Sequence, residues 1–121
     1  MCRRVSGCVR RKKIKNFMWI FLSNSFLSIV KHRDLPESLL VRARLEGDIT
    51  NVFPDAAVFQ DRIADYRFRA IIPRAVVGQA LLAAAEAIDY TNFKNSVPNP
   101  VRHDAYMEVW SVMQELQDHR P

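Results

Sequence analysis

Met18-Trp19-Ile20-Phe21-Leu22-Ser23-Asn24-Ser25-Phe26-Leu27-Ser28-Ile29-Val30 is the stretch on which the fold turns. With the basic residues ahead of it, it can be read as the apolar core of a signal peptide. Four polar residues, Ser23, Asn24, Ser25 and Ser28, interrupt that core, and Lys31-His32-Arg33-Asp34 follows with no small-x-small cleavage site. The run is also shorter than the roughly 20 apolar residues a membrane helix needs. Its residues suit β-structure instead. Trp19 to Ser23 and Phe26 to Lys31 are apolar, β-prone runs, and Asn24-Ser25 between them suits a tight turn. The stretch therefore predicts a β-hairpin.

The residues ahead of the hairpin differ in kind. Positions 1 to 17 hold Arg3, Arg4, Arg10, Arg11, Lys12, Lys13 and Lys15 and no acid. Of 18 basic residues in the chain, this leaves 11 for Met18 to Pro121, against 13 acidic ones, a net −2. The overall charge of +5 thus belongs to the tail. Cys2 and Cys8 also lie there, so the remainder needs no disulfide and no thiolate metal site. We read 1–17 as a basic tail, disordered or not native, and 18–121 as one α+β domain. A basic arm for nucleic acid or anionic lipid, and a targeting segment, are the rival readings of the tail. The apolar fraction of 49% against 26% charged excludes a wholly disordered chain.

Downstream, Leu39 to Leu45 alternates apolar Val41, Ala43 and Leu45 with Arg42 and Arg44, a strand with one buried face. Glu46-Gly47-Asp48 breaks it, and Asp48 is placed to cap a short helix that Pro54 stops. Ala56 to Gln60 and Tyr66 to Ile72 read as a second hairpin around Asp61 to Asp65. Tyr66, Phe68, Ala70 and Ile72 share one face; Arg67, Arg69 and Ile71 share the other. Pro73 opens a helix over Arg74 to Ile88, with Val77, Leu81, Ala84 and Ile88 on one stripe. Asn99-Pro100 starts the last helix, whose stripe is Tyr106, Val109, Trp110, Met113 and Leu116, with Arg120-Pro121 as its stop. The order is β-β-β-α-β-β-α-α. It predicts a mostly antiparallel sheet of about five strands with two C-terminal helices packed on one face. An edge strand at Trp19 to Ser23 or at Ala56 to Gln60 is open to pairing between chains, and the sequence does not say which edge is free.

Several of these segments form a wider pattern. They are Met18 to Val30, Leu40-Val41-Arg42-Ala43-Arg44 through Gly47-Asp48-Ile49, and Asp65-Tyr66-Arg67-Phe68-Arg69. To these add Ile88-Asp89-Tyr90 with Asn92-Phe93-Lys94, and Arg102-His103-Asp104-Ala105-Tyr106 with Val109-Trp110. Together they resemble a family of small uncharacterised proteins of bacteria and their prophages. The resemblance implies a start matching Met18. It brings no activity and no catalytic residue. It implies an accessory protein of a mobile element, including one that binds a host defence component.

Two surfaces carry chemistry. Arg42, Arg44, Arg67 and Arg69 all point away from the buried face of their strands. On neighbouring strands they make a basic patch for phosphates or an acidic partner. The plainer reading is a solvated sheet face, with heads paired to Asp61, Asp65 or Glu46. The second surface is Asp89, Tyr90 and Lys94 with Arg102, His103 and Asp104, around a loop between helices. A histidine near carboxylates suits acid–base work, but His103 and Asp104 are adjacent and expected to diverge. His32-Arg33-Asp34 matches a kinase triplet without the rest of a kinase. Gly7, Gly47 and Gly78 stand alone, so no phosphate loop exists.

The leading expectation is a small non-enzymatic binding or regulatory protein acting on a protein partner. The first alternative is a nucleic-acid binder using the arginine face or the tail. The second is a small enzyme with a site in the 89–104 loop. No metal, cofactor or membrane is expected, and the expected compartment is the cytoplasm.

Overall fold

The computed structural model describes residues 17–119. The readings of the basic tail, of Cys2 and Cys8 and of the Arg120-Pro121 stop lie outside them. Within them the chain forms β1 (Phe17–Leu22), β2 (Ser25–Lys31), β3 (Ser38–Ala43), α1 (Asp48–Val52), β4 (Phe59–Gln60), β5 (Phe68–Pro73), α2 (Arg74–Glu86), a 3-10 turn (Lys94–Ser96) and α3 (Pro100–Asp118). The strands make one antiparallel sheet in the order β1-β2-β3-β5-β4. This is the α+β architecture expected, with β1 and β4 at the edges.

Leu22 pairs with Ser25, so the first turn is Ser23-Asn24, one residue earlier than the polar residues suggested. Alternation along the strands gathers Leu27, Ile29, Val41, Ala43, Ala70 and Ile72 on one face. Ile49 and Phe53, from α1 and just beyond it, and Val77 of α2 close over that face. Each large apolar side chain buried there contributes about 1.5–3 kcal/mol. The stripe on α2 holds through Val77, Leu81 and Ala84. The helix ends at Glu86, so Ile88 falls beyond it and is exposed.

Gly47 caps α1 in the left-handed region at φ 93°, and Asp48 is the first helical residue rather than the cap. An L-residue with a Cβ pays roughly 1–2 kcal/mol for that conformation, which glycine does not. The expected strand at Ala56 to Gln60 shrinks to Phe59–Gln60. At the start of α3, Asn99 does cap: its Oδ1 accepts the Arg102 N–H at 2.9 Å, with Pro100 in the first turn.

The two C-terminal helices meet the sheet in different ways. α2 lies on the face of Leu27 and Val41. α3 is fastened by its first two turns at the β1–β2 hairpin end, where the Tyr106 ring meets Phe21 edge-on at 5.2 Å. Of the apolar stripe expected on α3, only Tyr106 is buried. Val109, Trp110, Met113 and Leu116 are exposed. No helix among the described residues is long and apolar enough to cross a membrane.

Candidate functional site

The β3–β5 register sets Arg42 opposite Arg69 on the sheet face turned away from α2. Arg42 donates from Nη2 to Ser28 Oγ at 2.7 Å, which explains why Ser28 is fully buried in an apolar strand. Its guanidinium lies 4.6 Å from the centroid of the Tyr66 ring. Arg44 lies over the same ring at 4.1 Å and donates to the Asp65 carbonyl at 2.9 Å. Arg69 donates from Nε to the Tyr66 carbonyl at 3.1 Å and stands 3.9 Å from the Asp65 carboxylate.

The strand pattern had put Tyr66 on the core face. It precedes β5, in a bend, and its ring reaches the arginine side instead. It is there a buried platform that two cations share. Such contacts add about 0.5–1 kcal/mol each where partly exposed. Together with the bonds to Ser28 and the Asp65 carbonyl, the ring holds both heads in fixed orientation. Arg67 lies just before β5, exposed, and is not drawn into the Tyr66 stack. Asp65 is the nearby acid and its side chain is 70% exposed. The cluster therefore carries an excess of positive charge on a region of net −2.

Around it the sheet face is apolar and largely uncovered. Trp19, Phe59 and Ile71 are exposed there, at 59%, 45% and 43%. Large side chains exposed beside fixed arginines are a feature of docking surfaces.

The second sequence candidate does not assemble. Asp89 is exposed. Tyr90 leans on Phe93, and Phe93 stacks on Tyr106 at 5.8 Å, so this loop docks on α3. Lys94 Nζ sits 4.8 Å over the Trp110 ring. Arg102 turns inward to Asp48. His103 and Asp104, expected to diverge, are 3.6 Å apart at the surface, without a third group. Among the described residues no three of His, Cys, Asp and Glu group as a metal site.

One cluster escaped the sequence reading. Buried Asp48 accepts both guanidinium nitrogens of Arg102, at 2.7 and 3.1 Å, and the Phe26 N–H at 3.0 Å. Arg102 also donates to the Tyr106 hydroxyl at 3.1 Å, and that hydroxyl lies 3.0 Å from the carbonyls of both Leu22 and Ser25. Burial alone would lower the Arg102 pKa; the Asp48 and Tyr106 hydrogen bonds outweigh it and raise it. Burial raises the Tyr106 pKa, partly offset by Arg102. These groups satisfy one another and hold α3 to the hairpin.

No protein-family model, curated protein or solved structure matches the chain.

Proposed function

We propose that this is a small non-enzymatic binding protein that acts on a protein partner through the arginine-bearing face of its sheet. The observation that carries the reading is the shared stacking of Arg42 and Arg44 on Tyr66. It presents guanidiniums in fixed orientation beside exposed Phe59. Arginine forks bind carboxylates in bidentate fashion, and arginine with large aromatics makes the usual energetic centre of a protein interface. The partner is accordingly an acidic protein surface. The resemblance of the sequence to prophage-encoded proteins suggests a host protein in that role.

Nucleic acid is the second reading, because the same arginines suit phosphates. The net −2 of Met18 to Pro121 works against it, since backbone binding depends on a broad basic field.

The test is chemical cross-linking in the native host with wild type and with Arg44→Glu/Arg67→Glu. Both residues are exposed, so the fold should persist. An acidic protein captured by wild type and lost with the variant supports the reading. Equal capture by both overturns it, as does binding to oligonucleotides with a steep salt dependence.

A further inference from the structure

Among the described residues β1 is an edge strand, and its outer side can be read residue by residue. Across the two-residue turn Leu22 pairs with Ser25, and the next pair is Phe21 with Phe26. The Phe26 N–H is taken by Asp48 and so points away from β1. Hydrogen-bonded and non-bonded pairs alternate in an antiparallel ladder. Leu22, Ile20 and Met18 therefore bond to β2, while the amide groups of Phe17, Trp19 and Phe21 face outward. β1 contains no charge, proline or bulge, the devices that usually protect an edge. The opposite edge, β4, is blunted by being two residues long.

The outward set is symmetric about Trp19. A second β1 running antiparallel places Trp19 against Trp19 and Phe17 against Phe21, so every outward residue meets an outward residue. The edge is complementary to itself under a two-fold axis.

α3 adds an independent observation. Arg102 sits on Asp48, which holds Phe26 of β2; one turn later Tyr106 sits on Phe21 of β1. The helix thus runs from the β2 side to the β1–β2 tip, where the Tyr106 hydroxyl meets both Leu22 of β1 and Ser25 of β2, and beyond that turn its apolar residues are bare. From Tyr106 to its end at Asp118 it extends about 18 Å at 1.5 Å per residue. That exceeds three strand spacings of ~4.8 Å. Val112, Met113 and Leu116 on this overhang are exposed at 61%, 54% and 62%.

We infer that the chain forms a two-fold dimer in which β1 pairs with β1 of a second copy and each α3 overhang seats on the other copy's sheet. The register supplies the seat. With Phe21 opposite the other copy's Phe17, the row that continues from Phe17 is Val30, Leu40 and Ile71. These point to the same face as Phe21, and Ile71 is exposed. Apolar helix meets apolar row, and both surfaces left bare in one copy are covered by the other. The arginine cluster lies toward the other end of β3 and β5 and stays open.

Sedimentation of the full chain tests this against Trp19→Pro and Met113→Lys. Proline at 19 removes an outward N–H and no bond to β2, and Met113 is exposed, so each variant should keep the wild-type circular dichroism. The expected result is a wild-type dimer whose dissociation constant rises about tenfold or more in each variant. A wild type that is monomeric at every concentration, or forms open-ended assemblies, overturns the inference. So does a dimer that both folded variants leave intact.

Discussion

Asp48 and Arg102, 54 positions apart, form a two-bonded ion pair at 2.7 and 3.1 Å in which both side chains are largely removed from solvent. The pair joins the first helical residue of α1 to the first turn of α3. Asp48 also takes a backbone N–H at the point where β3 ends, so one carboxylate finishes a sheet ladder and fixes a helix. Removing either partner leaves the other charge buried. Asp48→Asn and Arg102→Met should each cost about 3–5 kcal/mol, and the double variant should cost clearly less than their sum. Urea unfolding of the three variants measures this.

Tyr106→Phe keeps the ring against Phe21 and deletes the hydroxyl that Arg102, Leu22 and Ser25 share. We expect a loss of about 1–3 kcal/mol. The variant should also alter the alkaline limb. The folded phenol titrates above its ordinary 10.0. Its contribution is therefore complete below pH 10.0 and lost as pH rises through the raised folded pKa. Stability measured between pH 9 and 12, a range of about one to two units around the ordinary phenol value, should fall less steeply in Tyr106→Phe than in wild type.

Two glycines predict opposite signs. A Cβ meets nothing within 4 Å at either Gly47 or Gly78, so space does not decide. Gly47 has φ 93°, and Gly47→Ala should destabilise by about 1–2 kcal/mol. Gly78 is an exposed position inside α2, and Gly78→Ala should stabilise by about 0.5–1 kcal/mol. Thermal melts of the two variants should shift in opposite directions.

Tyr66→Leu fills the same buried place without a π face. Arg42 keeps Ser28 and Arg44 keeps the Asp65 carbonyl, but both lose the ring that orients them. The guanidinium N–H signals of the two arginines in NMR spectra should collapse toward the solvent-averaged position. Signals that stay dispersed would show that the ring does not order them.

The element order, both hairpins and the Asn99 cap are legible because each depends on residues within a few positions of one another; the strand order that makes β1 and β4 the edges is not local. The errors share a cause. Strand parity puts Tyr66 on the face of Phe68, yet the strand starts at Phe68, and parity does not extend into the bend before it. Local sequence makes Asp48 look like a cap, because its ligands, Phe26 and Arg102, lie far away in sequence. The available clue was an acid directly before the core residue Ile49. On α3, helical spacing identified an apolar stripe correctly, but spacing does not say whether the same chain covers it.

The hydroxyl of Tyr106 closes on carbonyls 84 and 81 residues earlier, at the tip of the first hairpin. A ribosome adding about 5–20 residues per second needs roughly 4–16 s to cover that distance. During this interval the nascent hairpin stands with Asp48 unneutralised and its tip carbonyls open to solvent. Helix α3 seals a hairpin made some eighty residues before it, and this part of the fold can lock only after α3 has left the exit tunnel.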